Sequence, residues 1–287
     1  MNQTPLKPNT ESFERDPWIA PSGFREYDAR WQYPAQINPQ GFIRLGQCLG
    51  TMAVESYGAG VRVIVGHDYR EYSAEVKHAL ALGLIAAGVQ VVDIGLALSP
   101  VAYFAQFAYD APGVAMVTAS HNENGWTGVK MGLHRPLTFG PNDMANLRDR
   151  VARGQFTPHP GGGYAGVTDT KERYLVDLMQ SVGGGFTRRL KVVVACGNGT
   201  AGAYAPDLFR RLGCDVIEHY CDLDYTFPHY NPNPEDVAML HDLGDVVRRT
   251  RADIGFGFDG DGDRCGVVDH TGTEVFADKV GVMMARF

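Results

Sequence analysis

One supersecondary pattern occurs twice in this chain, about 130 residues apart, and that repetition restricts the possible folds more than any other feature. In the first copy, residues 61–65 (VRVIV) are a β-branched run bounded by Gly60 and Gly66, as expected of a fully buried parallel strand. The spacing predicts a helix after it. Ser73 is the candidate N-cap, Ala79, Leu80, Leu82, Leu84 and Ile85 are the apolar positions, and Gly88 sits where a left-handed cap belongs. Residues 89–94 return as a strand, 100–109 read as a helix with proline in its first turn, and 114–118 as a third strand. The second copy runs through a strand at 190–195 (LKVVVA), a helix at 201–212 closed by Gly213, and a strand at 215–218. A Pro/Asn-rich loop at 227–234 then leads to a helix at 235–249 and a strand at 253–258. LIAAGVQVVDIG in the first copy rhymes with LFRRLGCDVIEHY in the second.

Alternating strands and helices give an α/β fold of two similar β-α-β-α-β domains with mostly parallel, helix-covered sheets. The expected limits are 1–165 and 166–272, with 273–287 as the truncated start of a third domain. Residues 158–166 (PHPGGGYAG) read as a flexible linker, 171–182 as the helix entering the second domain, and glycines 183–185 as its end. Sheets of this kind bind ligands beyond the carboxyl ends of their strands. Each third strand runs there into a polar, glycine-bearing loop: TASHNENGWTGVKMG in the first copy and DGDGDRCG in the second.

Composition narrows the function classes. Hydrophobic residues at 44% and charged residues at 21% are globular values, which excludes wholesale disorder. A net charge of −7 leaves no global basic field to hold nucleic acid or an anionic membrane. The longest nearly uninterrupted apolar stretch, 79–92, is too short to span a bilayer, and residues 1–11 lack the pattern of a secretion signal, so a cytoplasmic location is expected. Cys48, Cys196, Cys214, Cys221 and Cys265 include no CxxC pair and read as buried or incidental thiols. Glycine is in excess, 35 of 287, and needs local reasons.

Asp259, Asp261 and Asp263 alternate with glycine. Glycines let the three carboxylates converge, and convergent anions repel unless a cation sits among them. Hard oxygen ligands favour Mg²⁺ or Ca²⁺. The loop is not an EF-hand, because Arg264 holds the sixth position, His270 the twelfth, and the flanks read as strands. Arg264 reads either as a guanidinium that steadies a phosphoryl group or as half of a structural salt bridge. In the first loop Ser120 precedes His121. Neighbouring side chains usually diverge, so a serine that carries phosphate fits better than a protease-like dyad, although taken alone the loop reads first as an ordinary Ser/Asx turn. Lys130 can bind phosphate or transfer a proton if burial lowers its pKa, although surface lysines are commoner.

TASHN followed by GVKMG, and GFDGDGDR well downstream, resembles the α-D-phosphohexomutase family of phosphomannomutases and phosphoglucomutases. Further matches, in family order, are GFREYDAR at 23–30, GHDYREYS at 66–73, CGNGTAG at 196–202 and FPHYNPNPED at 227–236. The resemblance implies that Ser120 is the phosphorylated serine, and that Mg²⁺ is held by Asp259, Asp261, Asp263 and a phosphoserine oxygen. It also implies that Tyr27, Arg30, His121, Lys130 and Arg264 line the site, Tyr27, Arg30 and Arg264 as substrate-binding groups and Lys130 as general acid/base. The expected partner is a phosphorylated hexose, turned over through a bound hexose 1,6-bisphosphate. This chain has Glu123 where the family usually has proline, YDARW for YDIRG, and GHDYR for GRDxR. The family's sugar-reading loop of the third domain and phosphate-binding loop of the fourth do not occur in it. Two rival readings are a non-catalytic fragment that binds Mg²⁺ and phosphate, and a Mg²⁺-dependent phosphatase.

Overall fold

A computed structural model describes residues 6–183 and 186–286. Gly184 and Gly185, part of the expected end to the helix after 171, lie outside the described residues. Two compact units emerge: residues 1–119 with 125–170, and residues 120–124 with 171–287. The segment that carries Ser120 therefore groups with the second unit.

The first unit is built on a six-stranded mixed sheet. Its strands are β1 (Ala29–Gln32), β2 (Arg62–His67), β3 (Gln90–Leu96), β4 (Gly113–Val117), β5 (Trp126–Gly132) and β6 (Gly163–Gly166), in the order β1-β5-β4-β2-β3-β6. The β4-β2-β3-β6 run is parallel, while β5 and β1 add antiparallel strands at the other edge. The parallel centre matches the sequence pattern, but two readings need correction. Residues 126–132, expected as part of a loop, form β5. Residues 163–166, expected as flexible linker, form β6 on the edge of β3. A buried ion pair secures that edge: Lys77 Nζ lies 2.5 Å from Asp93 Oδ2, which also accepts the Tyr164 hydroxyl of β6.

The helices of this unit are α1 (Glu11–Arg15), α2 (Pro39–Tyr57), α3 (Ser73–Ala86), α4 (Ser99–Ala108) and α5 (Pro141–Arg153). The 19-residue α2 was not expected from the sequence, since Gly41, Gly46 and Gly50 interrupt it. Its N-cap Asn38 accepts hydrogen bonds from Gly41 N at 2.7 Å and Trp18 N at 2.9 Å, while its amide donates to Phe13 and Asp16 carbonyls. The interrupting glycines bring helices together. A Cβ on Gly46 would stand 2.1 Å from Leu80 O, and one on Gly83 would stand 2.0 Å from Ile43 O, so α2 and α3 touch backbone to backbone. Around that contact Leu45, Leu49, Leu80 and Leu84 are fully buried. Ser73, expected as the cap of α3, is its first residue instead, and its hydroxyl is given to Asp68 at 2.5 Å.

The second unit is built on a five-stranded mixed sheet of β7 (Lys191–Ala195), β8 (Asp215–His219), β9 (Ile254–Phe258), β10 (Cys265–Asp269) and β11 (Glu274–Val275), in the order β11-β10-β9-β7-β8. Here β9-β7-β8 is parallel, and β10 and β11 are antiparallel additions. The unit carries α6 (Thr170–Ser181), α7 (Ala205–Arg211), α8 (Val237–Thr250) and α9 (Ala277–Met284). The helix expected at 201–212 is divided into a 3-10 turn, Thr200–Ala203, and α7, because Pro206 in the first turn of α7 has no N–H to donate back to the preceding turn; Gly202 lies against Cys221 O, where a Cβ would come within 2.0 Å. Asp236 caps α8 by accepting from Ala238 N at 2.9 Å, and Met239, Leu243 and Val247 pack on Val193 and Val268.

The sequence repeat is thus a repeat of topology. The order β5-β4-β2-β3 in one sheet corresponds to β10-β9-β7-β8 in the other. In both, the third parallel strand turns back through a loop into an antiparallel fourth, and the two chemistry-bearing loops are those two turns. No helix among the described residues is long and apolar enough to cross a membrane.

Candidate metal and phosphoryl site

The loop between β9 and β10 is folded around one carboxylate. Asp259 Oδ1 accepts the backbone N–H groups of Asp263 and Arg264, both at 3.1 Å, and Gly262 N donates to Asp259 O at 3.1 Å. Gly262 turns the chain at φ 68°, a left-handed conformation that glycine adopts without a Cβ clash. The result gathers Asp259, Asp261 and Asp263, each offering an oxygen within 4.8 Å of the others. Asp259 and Asp261 are buried and Asp263 is exposed. Burial first, and then the charges of Asp261 and Asp263, push the Asp259 carboxyl up to about 8.

This donor set fits a hard divalent cation. All three ligands are carboxylate oxygens, and two Mg–O bonds of about 2.1 Å set opposite oxygens about 4.2 Å apart. At most one pair of three ligands can be opposite, and neighbouring octahedral oxygens stand about 3.0 Å apart, so carboxylates within 4.8 Å of one another must draw in to hold Mg²⁺, and less far for the longer bonds of Ca²⁺. A cation there would remove the repulsion that disfavours three charged carboxylates.

Ser120 belongs to the same unit. Its Oγ donates to Asp259 Oδ2 at 3.2 Å and stands 3.4 Å from His121 Nδ1. The side chain is buried, and its backbone is held at φ 54°, which costs a non-glycine residue about 1–2 kcal/mol. Three contacts hold that segment. Gly260 passes so close that a Cβ would stand 2.5 Å from Ser120 O, Asn231 Nδ2 donates to His121 O at 2.5 Å, and Asn124 Nδ2 donates to Tyr225 O at 2.8 Å. Asn231 and Gly260 lie in stretches that the motifs marked, but their part in seating Ser120 depends on contacts more than a hundred residues apart in the chain. Arg264 makes a 2.8 Å ion pair with Glu235, the salt-bridge alternative left open by the sequence.

The remaining predicted residues lie in the first unit. Arg30, on β1, is 4% exposed and paired with Asp28 at 2.7 Å. Tyr27 is 62% exposed. Lys130, half-buried on β5, faces Met116 across the ladder. Sequence reasoning gave no role to Asp68, which the structure makes the hub of the β4 end. Its buried carboxylate accepts Thr118 Oγ1 at 2.8 Å, Ala119 N at 3.1 Å, Ser73 Oγ and Arg70 Nε. The only signal for it was its place in GHDYREYS.

Fold and site define a tandem α/β/α protein whose second unit joins a strained, buried serine to a cation-ready carboxylate trio. Residues 21–158 match the model of phosphoglucomutase/phosphomannomutase α/β/α domain I, and residues 172–272 that of domain II. The chain belongs to the phosphoglucomutase/phosphomannomutase family. It is 34% identical over 276 residues to a phosphomannomutase/phosphoglucomutase of Pseudomonas aeruginosa, covering 96% of this chain and 58% of that one. It is also 34% identical to a probable phosphoglucosamine mutase of Pyrococcus abyssi, over 83% of this chain and 51% of that one. A Burkholderia thailandensis phosphoglucomutase/phosphomannomutase family structure superposes with a TM-score of 0.86 at 34% identity, covering 93% of this chain and 58% of that one. The chain spans a little over half the length of the curated relatives it matches.

Proposed function

We propose that this chain carries the phosphoserine and metal half of a Mg²⁺-dependent phosphohexomutase, which interconverts hexose 1-phosphate and 6-phosphate through a bound 1,6-bisphosphate. The observation that carries the reading is the Ser120 Oγ to Asp259 Oδ2 hydrogen bond of 3.2 Å beside three convergent carboxylates. Asp259, Asp261 and Asp263 would hold the cation, which when bound offsets negative charge on a phosphoryl group. Ser120 carries that group. Its buried hydroxyl already donates to Asp259, so alignment is prepared in advance. His121 Nδ1, 3.4 Å from the hydroxyl, is placed to exchange a proton with it. Lys130 is the second candidate acid/base, and Tyr27, Arg30 and Arg264 are the candidate phosphosugar contacts. The relatives' names point to mannose, glucose or glucosamine phosphates as the substrate class.

The test is incubation of the chain with Mg²⁺ and hexose 1,6-bisphosphate, followed by phosphopeptide mapping and assay of hexose monophosphates. Phosphate on Ser120 is expected, and folded protein phosphorylated elsewhere or nowhere would refute the assignment. Because the chain spans 58% of its Pseudomonas aeruginosa relative and 51% of the Pyrococcus abyssi one, binding without turnover is the second reading. Phosphate on Ser120 without net sugar isomerisation would favour it. Steady release of inorganic phosphate would mark a phosphatase.

A further inference from the structure

The five cysteines are not equivalent. Cys48, Cys196, Cys214 and Cys221 are buried and Cys265 is exposed. Two of them meet: Cys221 Sγ lies 3.5 Å from Cys196 Sγ, and its single S–H has Val194 O, at 3.2 Å, as the alternative acceptor. The backbone brings this about. β7 and β8 run parallel with Ala195 opposite His219, and the ladder continues past both strand ends through Cys196 N to His219 O and Asn198 N to Tyr220 O. Tyr220 then turns at φ 52°, and Cys221 follows on the chain beside Cys196. The two sulfurs thus meet from adjacent strand ends, with Cys221 one position past the residue opposite Cys196.

We propose that Cys196 and Cys221 are a dithiol site that a peroxide closes to an intrachain disulfide at the base of the carboxylate loop. The sulfurs need to approach by about 1.5 Å to reach bonding distance. Cys221, at 6% exposure against 0% for Cys196, meets the oxidant first. Its sulfur attacks the peroxide O–O bond, forming a sulfenic acid and releasing one water. Cys196 sulfur then displaces the sulfenic oxygen, which leaves with both remaining protons as a second water. Two thiols lose two electrons and one hydrogen peroxide gains them. Burial, the largest cause, holds the Cys196 thiol well above its ordinary range, which makes it a slow first nucleophile.

The position gives the bond a consequence. Residues 197–202 follow Cys196 and fold back onto Cys221, where Gly202 lies against its carbonyl. From the same segment Thr200 N donates to Gly260 O at 3.3 Å, between Asp259 and Asp261. Closing the dithiol therefore draws on a segment that is hydrogen-bonded to the carboxylate loop.

The experiment treats the reduced, folded chain with excess hydrogen peroxide over a time course, then alkylates it under denaturing conditions and maps the peptides by mass. Expected is one cross-linked peptide pair containing Cys196 and Cys221, about 2 Da lighter than the two reduced peptides together and separated again by dithiothreitol. The Cys221→Ala variant should leave Cys196 unlinked. Full alkylation of Cys196 and Cys221, linkage of either to another cysteine, or sulfinic acid at Cys221 without linkage would overturn the proposal. The wild-type map decides alone if the variant does not fold.

Discussion

The contact between α2 and α3 sets up a competition that Gly83→Ala can decide. Alanine favours a helix over glycine by about 1 kcal/mol, so propensity alone predicts a more stable protein. Geometry opposes it. The new methyl would stand 2.0 Å from Ile43 O and 2.7 Å from Gln47 N, both backbone atoms that cannot rotate aside. A carbon–oxygen contact needs about 3.3 Å, so the helices must part by roughly 1.3 Å. A gap of about 1 Å forfeits up to half of the dispersion well. Leu45, Leu49, Leu80 and Leu84 surround the contact, and each fully buried leucine contributes about 2 kcal/mol. Losing a quarter to a half of that packing costs about 2–4 kcal/mol and outweighs the helix gain. With a urea dependence of about 2 kcal/mol/M, the net loss lowers the unfolding midpoint by roughly 1 M. Tryptophan fluorescence reads this cleanly, because Trp18, Trp31 and Trp126 all lie in the first unit. An unchanged or raised midpoint would refute the backbone-contact argument. Adding Gly46→Ala should cost clearly less than its effect alone, since one parting accommodates both methyls.

Asp93 carries a pH dependence. Burial alone raises its pKa, but hydrogen bonds from Lys77, Tyr164 and Gly95 N outweigh it and leave the carboxyl below its ordinary value of 3.8. Its stabilisation is therefore complete above the ordinary carboxylate range and lost as pH falls through the lowered value. Acid titration of the urea midpoint should show that loss below about pH 4 in the wild type and not in Asp93→Asn. At neutral pH that variant should be destabilised by about 3 kcal/mol, because it leaves the Lys77 charge buried without its counter-ion. Millimolar Mg²⁺ should raise the melting temperature, and Asp261→Asn should abolish that rise while leaving the metal-free melting temperature unchanged or higher; no rise in the wild type, or an equal shift in both proteins, would remove Asp261 from the ligand set.

The parallel strands and their helices were legible because each is a continuous apolar run closed by a glycine or a cap. What escaped were segments whose glycines do something other than turn the chain. In β5, a Cβ on Gly128 would strike Ala29 O at 2.1 Å and one on Gly132 would strike Leu137 O at 2.4 Å. Those glycines permit close neighbours, yet in sequence they read as loop. The linker reading failed likewise: Gly162 lies against Ile85 O and Gly163 against the Gln90 side chain. The carboxylate trio was legible because its members are neighbours in sequence. The tie from Ser120 to Asp259 spans 139 positions, and the strained φ of Ser120 depends on that distant loop, so local pattern could name the residues but not their juxtaposition.

The shared topology also explains how two unlike chemistries live on one frame. The hairpin into the antiparallel fourth strand is eight residues long at 118–125 and six at 259–264, yet β4 and β9 keep the same neighbours in their sheets. Hydrogen-bonded strands clamp both ends of each loop, so its length and composition can drift without disturbing the buried apolar layers. One copy could thus specialise in presenting a hydroxyl and the other in presenting carboxylates, each adapting at its tip while the scaffold below stayed fixed.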